Sequence, residues 1–198
     1  VIDDTVTDFG VDENGNIISL FLNQGLKLNL DFLFDCTGFK RFVIGNHFKS
    51  KWKSYRDYLP VKSAIPFFEP MTPSIPPYTE AVAMKYGWMW KIPTVERFGC
   101  GYVFDSDLIS ADQAKDELET YLGKSVEVPR VFSFEAGCYE KQWEKNCLAI
   151  GLSSGFIEPL EATSIWVTIQ SLHSFIENVK GVVFDDQESK DNLNNRMN

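Results

Sequence analysis

The stretch Leu148-Ala149-Ile150-Gly151-Leu152-Ser153-Ser154-Gly155-Phe156-Ile157-Glu158-Pro159-Leu160-Glu161 limits the fold more than any other part of this sequence. Its short apolar run, rich in branched residues, reads as a buried strand. The run breaks into a Gly/Ser loop and enters a long periodic helix through Pro159 or Leu160. A strand feeding a helix through such a loop leaves several backbone N–H groups without intrahelical partners. With the positive end of the helix dipole behind them, those donors suit an anion or a polarised cofactor edge. Glu158 and Glu161 fall in the first turn, where a carboxylate ordinarily caps the helix or offsets its dipole.

The rest of the chain alternates strands and turns. Residues 1–36 predict a β-meander: Val6 to Val11, a hairpin turn at Asn14-Gly15, Ile17 to Leu22, then Leu26 to Asp35 as a strand that ends buried. Pro66, Pro70, Pro73, Pro76 and Pro77 predict an irregular connection over residues 61–80 with local polyproline character. Thr79 to Trp90 reads as one or two strands, and on a strand Trp88 and Trp90 face the same side. Taken alone, that pair is ordinary core packing. Further strands are expected over Phe98–Phe104, Arg130–Glu135, Cys138–Trp143 and Cys147–Leu152. Ser110 and Gln113 form a capping-box pattern for an amphipathic helix that runs to about Leu122, before Gly123. The last helix runs to about Val179 and stops at Lys180-Gly181. Ile165, Ile169, Leu172 and Ile176 are its expected buried stripe, Phe175 lies at the margin and His173 off it. The stretch from Asp185 is too polar to be core.

Charge and side-chain inventory narrow the function. A formal net charge of −9 argues against nucleic acid as a partner. Lys49, Lys51, Lys53 and Arg56, interleaved with Trp52, Tyr55 and Tyr58, therefore read as a solvated face. His47 reads as a surface or loop residue, and the two histidines sit at no metal-ligand spacing, so no metal site is expected. No apolar run approaches the roughly 20 residues that span a bilayer, and Val1-Ile2-Asp3-Asp4 has no leader character. Cys36, Cys100, Cys138 and Cys147 lie far apart in apolar settings and read as buried free thiols of a reducing cytoplasm.

Three motifs occur in one order: Asp35-Cys36-Thr37-Gly38-Phe39, Gly87-Trp88-Met89-Trp90-Lys91-Ile92-Pro93, and Gly151-Leu152-Ser153-Ser154-Gly155-Phe156 followed by Glu158-Pro159-Leu160-Glu161 and Thr163. Together they resemble the flavin-dependent tryptophan halogenases over nearly the whole chain. The resemblance implies an α/β fold with a flavin monooxygenase-like core of the GR2 type and a mixed β-sheet. It divides residues 1–198 into a β-meander and flavin-side segment (1–60), a substrate-side sheet (61–145), and a flavin and halide loop with its helix (146–180). It implies FAD, used as FADH2, and chloride or bromide, with tryptophan, indole or a related electron-rich aromatic attacked by hypohalous acid.

By the same resemblance Glu161 is the catalytic carboxylate, accepting the indole N–H or the proton the ring loses. Thr163 and Ser164 hold the halide through their backbone, while Leu152, Ser153, Gly155 and Ile165 contact the cofactor. Trp88, Trp90, Ile92 and Pro93 wall the substrate chamber. The Asp35–Gly38 turn is implied to lie near the adenosine end of FAD, with an ordinary strand-to-turn Asp as the alternative. A separate flavin reductase is the implied partner, a homodimer is compatible with it, and the location implied is cytoplasmic.

Two departures matter. Ala162 stands where these halogenases commonly carry Ser, and no lysine here matches the one thought to carry the hypohalous acid. Neither does any GxGxxG occur, since Gly99 and Gly101 do not follow that spacing. The chain thus reads as the central portion of a longer halogenase, incomplete at both ends and inactive alone. The rivals are a flavin monooxygenase that does not halogenate and a non-catalytic flavoprotein remnant.

Overall fold

The structure, a computed structural model, describes residues 1–158 and 163–179. In chain order the strands are β1 (Val6–Val11), β2 (Ile17–Leu22), β3 (Lys27–Asn29), β4 (Leu33–Asp35), β5 (Trp52–Ser54), β6 (Ser63–Pro70), β7 (Glu80–Met84), β8 (Gly87–Pro93) and β9 (Arg97–Phe104). Helix α1 (Ala111–Leu122) follows. After it come β10 (Phe132–Ser133), β11 (Gly137–Tyr139), β12 (Trp143–Glu144), β13 (Cys147–Ala149), β14 (Gly155–Phe156) and helix α2 (Thr163–Val179). The chain divides into two units, one made of residues 1–53 and those from Gly137 on, the other of Ser54–Ala136.

In the first unit the expected hairpin forms: β1 pairs antiparallel with β2, and Gly15 supplies a positive φ of 83° in the turn. Asp12 reinforces that turn by accepting the N–H groups of Asn14 (2.9 Å) and Asn16 (2.7 Å). The stretch expected as one strand from Leu26 to Asp35 is two, because β3 pairs with β2 whereas β4 pairs in parallel with β13. Asn146 bridges these layers. Its side chain accepts from the N–H of Ile17 and donates to the carbonyls of Ile17 and Asp31, as a strand neighbour would.

β13 is buried along its whole length, and alternation makes it serve two cores. Cys147 joins Ile17 and Val43, and Ala149 joins Ile44 and Tyr139. Leu148 belongs to the other side, with Trp143, Ile150, Phe32 and Phe175. Phe175 is therefore the anchor of α2. Its ring lies 5.0–5.5 Å from those of Phe32, Phe34 and Trp143.

The expected stripe of α2 is reversed. Ile165, Ile169, Leu172 and Ile176 are all exposed, Ile165 at 64%. The partly buried side runs instead through Ser164, Thr168, Ser171, Phe175 and Val179. Small hydroxyl residues let the helix approach the Gly151 turn closely, where a Cβ on Gly151 would sit 3.7 Å from Thr168 Oγ1. The helix start expected at Pro159 or Leu160 and the stop at Lys180-Gly181 lie outside the described residues.

The second unit is a five-stranded sheet in the order β10-β6-β9-β8-β7, all antiparallel, with α1 on one face. The capping box forms as expected. Ser110 Oγ accepts from the Gln113 N–H, and the Gln113 side chain accepts from the Ser110 N–H, while Gly123 ends the helix with a φ of 68°. Ala114 and Leu118 of α1 pack on Ile65, Phe67, Met89, Phe98, Cys100, Tyr102 and Phe104. Glu117 adds a polar clamp, accepting from Tyr102 Oη (2.9 Å) and from the Lys85 N–H (2.7 Å).

The proline-rich segment is more ordered than expected, since Pro66 and Pro70 lie within β6. The β10 ladder ends opposite Ala64, so from Pro66 onward β6 pairs only with β9 and behaves as an edge strand, where proline is tolerated. Two cysteines also differ from expectation: Cys36 is exposed and Cys138 only partly buried, while Cys100 and Cys147 are buried free thiols. Burial pushes the Cys100 thiol up to about 11. Among the described residues no helix is long and apolar enough to cross a membrane.

Glu69 is buried on the covered side of the sheet and paired with Lys124 (2.5 Å) and Lys91 (3.1 Å). Burial alone would raise its pKa, but the hydrogen bonds and charges of the two lysines outweigh that and hold it below the ordinary carboxylate value. A carboxylate with a depressed folded-state pKa contributes stability above its unfolded pKa and loses it as pH falls through the folded one. Thermal unfolding followed from about pH 6 to about pH 3 should show this loss in the unsubstituted protein. Glu69→Gln should be less stable at the upper pH and show a flatter decline.

Candidate functional site

The first candidate region lies at one end of the parallel pair β4 and β13. Parallel strands deliver their following loops to the same edge, the usual place for a ligand in an α/β sheet. Here those loops are Cys36–Lys40 and Gly151–Phe156. Asp35, 1% exposed, organises the first loop. One carboxylate oxygen accepts from the Thr37 N–H (3.0 Å) and hydroxyl (2.6 Å), and the other from the N–H groups of Val43 (3.0 Å) and Ile44 (2.9 Å). The backbone carbonyl of Asp35 accepts from the Ile150 N–H at 3.0 Å, so the same residue also fixes the start of the second loop. Two of the donors belong to Thr37 of its own loop and two to the helical turn Phe42–His47 that follows, so the carboxylate ties the loop to that turn. Cys36 beside it is exposed, and its thiol is pushed up first by burial and then by the Asp35 charge.

Most of the Gly-Leu-Ser-Ser-Gly side chains face inward. The Ser153 hydroxyl, fully buried, donates to the Gly38 carbonyl at 3.3 Å and ties the two loops together. That of Ser154 donates to the Gly151 carbonyl at 2.8 Å. Gly155 pairs with Cys138, and a Cβ there would come 2.8 Å from Cys138 Cβ and 2.9 Å from the Gly137 carbonyl. Leu152 is left partly exposed. Gly38 and Gly151 take φ values of 65° and 66°, and a Cβ on Gly38 would meet nothing within 4 Å. At Gly38 the loop edge is thus bare backbone facing open space, whereas Gly151 lies against Thr168 of α2.

Thr163 and Ser164 begin the described part of α2, both partly buried, and Ser164 Oγ is buried without a hydrogen-bond partner. Ile165 points outward. Glu161 and Ala162 lie outside the described residues. Sequence reasoning missed a neighbouring stack, in which the Arg41 guanidinium lies 3.6 Å over the Trp52 ring, with Tyr139 beyond at 5.7 Å. Arg41 adopts a left-handed φ of 48°, which no sequence pattern announces. Lys49, Lys51, Lys53 and Arg56 are exposed, as a solvated face requires.

The second candidate region lies on the sheet of the other unit, on the face away from α1. Register places Trp88 opposite Val103, Trp90 opposite Gly101 and Ile92 opposite Gly99, so the three side chains share that face. Pro93 comes one position later and belongs to the other side. The indoles of Trp88 and Trp90 lie 6.0 Å apart at an interplanar angle of 58°. Ala81 and Ala83 of β7 flank them on one edge. On the other, the Trp90 ring lies over Gly101, where a Cβ would collide with it. Among the described residues no group of His, Cys, Asp and Glu could hold a metal ion.

Solved structures share this architecture. The tryptophan 5-halogenase MibH superposes with a TM-score of 0.88 at 28% identity, over 99% of this chain and 37% of that one. The flavin-dependent halogenase BrvH from Brevundimonas sp. BAL3 gives 0.85 at 34% identity, over 99% of this chain and 40% of that one. The fold is therefore the one flavin-dependent halogenases use. The sequence model of the tryptophan halogenase family matches residues 1–198, and the chain belongs to that family. The tryptophan 6-halogenase SttH of Streptomyces toxytricini is 34% identical over 180 residues, which is 88% of this chain and 34% of that protein. The tryptophan 7-halogenase RebH of Lentzea aerocolonigenes is 33% identical over 181 residues, 89% of this chain and again 34% of its own length.

Two substitutions test the geometry. Asp35→Asn presents an amide to donors that need an acceptor, and should cost about 3 kcal/mol in chemical denaturation, with faster hydrogen exchange at the Val43 and Ile44 amides. Gly101→Ala should displace the Trp90 indole and change the near-ultraviolet circular dichroism while leaving the far-ultraviolet spectrum intact.

Proposed function

We propose that these residues form part of an FAD-dependent halogenase that consumes reduced flavin, O2 and chloride or bromide. Its substrate class is tryptophan, indole or a related electron-rich aromatic, attacked through hypohalous acid. The observation that carries this reading is the packing of the Cys36–Lys40 loop against the Gly151–Ser153 turn at the ends of β4 and β13.

The bare, left-handed backbone at Gly38 fits a planar ring system laid against that edge, since no side chain occupies the space over it. Leu152, Ser153, Gly155 and Ile165 are the residues that would hold FAD. Ser153 can act there only through its backbone, because its hydroxyl is engaged by Gly38. Reduced FAD, when bound, would supply two of the four electrons that O2 takes up, the halide giving the other two as it becomes hypohalous acid. A separate flavin reductase would deliver it.

The backbone at Thr163 and Ser164 would hold the halide, as an anion held by amides is not bound as tightly as one paired with a lysine. Glu161 takes the general-base role, accepting the indole N–H or the proton released when the aromatic ring is restored. Trp88, Trp90 and Ile92 would make the apolar wall of the substrate chamber, with Pro93 ending their strand. With Ala at position 162 a hydroxyl is missing beside the base, so halide or substrate preference would differ from that of enzymes carrying Ser there.

The test is turnover by the full protein carrying these residues, supplied with a flavin reductase, O2, indole and either halide, with products read by mass spectrometry. Halogenated indole is expected. Glu161→Gln should lower turnover at least about a hundredfold without changing affinity for reduced flavin. Hydroxylated indole as the sole product would overturn the reading in favour of a monooxygenase.

A further inference from the structure

The face that carries Trp88 and Trp90 has a second feature, a trough next to the indoles with a cation at one end. Along β9, alternation sends Phe98, Cys100 and Tyr102 to the covered side and Arg97, Gly99 and Gly101 to the open one. The two glycines differ. The space over Gly101 is filled by the Trp90 indole, whereas a Cβ on Gly99 would meet nothing within 4 Å. Register places Gly99 directly between Phe68 of β6 and Ile92 of β8. Those walls stand on strands roughly 10 Å apart, and their side chains are 53% and 40% exposed. An aromatic ring fits edgewise between them.

Arg97 lies two residues from Gly99 on the same face, roughly 7 Å along the strand. Its guanidinium stacks 3.5 Å over the Phe68 ring. A guanidinium stacked on a ring keeps N–H groups free at its edge, and that edge can take a carboxylate with two hydrogen bonds. Among the described residues no carboxylate pairs with Arg97. The buried Glu69 and its two lysines lie on the opposite, covered side.

We propose that Arg97 is a specificity-determining residue that selects aromatic carboxylates. The ring lies over Gly99 between Phe68 and Ile92, and the carboxylate sits on the guanidinium. This rests on the halogenase reading of the Trp88 and Trp90 face, and it narrows the substrate class to indoles that carry an anionic group about one ring-length from the ring centre.

The test measures binding of three probes, indole-3-acetate, indole and tryptamine, to the full protein by calorimetry at low and high salt. The unsubstituted protein should bind indole-3-acetate about fivefold tighter than tryptamine at low salt, and the preference should shrink as salt rises. Arg97→Gln should abolish the preference and leave the affinity for indole unchanged, and Arg97→Lys should keep only part of it. Gly99→Val should weaken binding of all three probes by filling the trough. The proposal is overturned if the unsubstituted protein does not discriminate, or if Arg97→Gln still prefers the anion. Turnover of indole, measured alongside, separates the two readings. Halogenation without anion preference removes the role of Arg97 alone, whereas anion preference without halogenation removes the halogenase reading and leaves the aromatic-acid site standing.

Discussion

Asp35 is the residue on which the loop end of the first unit depends. Its two oxygens gather four donors from Thr37, Val43 and Ile44, and its carbonyl takes a fifth from Ile150, just past β13. A hydrogen bond to a charged acceptor contributes about 1.5–3 kcal/mol, whereas a left-handed non-glycine residue such as Arg41 costs about 1–2 kcal/mol. The anchor therefore exceeds the strain it imposes. The tight turn at Gly38 and the left-handed Arg41 persist because the carboxylate holds the chain on both sides of them. The strained backbone and the exposed backbone of Gly38 have one cause.

Helix α2 answers a different demand. A helix resting on a glycine turn can come close only if it presents small side chains there; Thr168 lies over Gly151, on a partly buried side that also carries Ser164 and Ser171. Its adhesion comes from further along, where Phe175 enters the ring cluster of Phe32, Phe34 and Trp143. The larger apolar residues are consequently turned outward. Close approach at one end and aromatic anchoring at the other settle the rotation of the helix about its axis. Its hydrophobic stripe does not.

This explains which features could be read from the residues alone. The hairpin at Asn14-Gly15, the capping box at Ser110 and Gln113, and the shared face of Trp88 and Trp90 are local matters of turn chemistry, spacing and alternation, and the chain states them directly. The rotation of α2 is not local. Its apolar and hydroxyl stripes have the same period, and only the glycine turn and the ring cluster it rests on decide between them. Order in β6 escaped for a similar reason, because prolines forbid a doubly paired strand but not an edge one. The role of Asp35 was half legible: the motif marked the residue, while its four hydrogen bonds depend on Val43 and Ile44 returning from a helical turn. Arg97 left no mark, since an arginine before two alternating glycines reads as a strand end until register places Phe68 beside it.

The open face of the second unit breaks the rule that its own sheet otherwise obeys. An antiparallel sheet covered on one side ordinarily shows polar residues on the other, yet β8 presents Trp88, Trp90 and Ile92 there. Such a face is a liability unless something is meant to lie on it. The neighbouring strands are arranged to suit it: β7 supplies Ala81 and Ala83, and β9 supplies Gly101 opposite Trp90 and Gly99 opposite Ile92, with Val103 opposite Trp88. One of those glycines is consumed by an indole and the other is left open. Core packing would leave no such vacancy, because an empty position beside three large apolar groups forfeits dispersion contacts. The open glycine is what turns an aromatic ridge into a site with a shape, and a stacked guanidinium at its end gives that shape a charge.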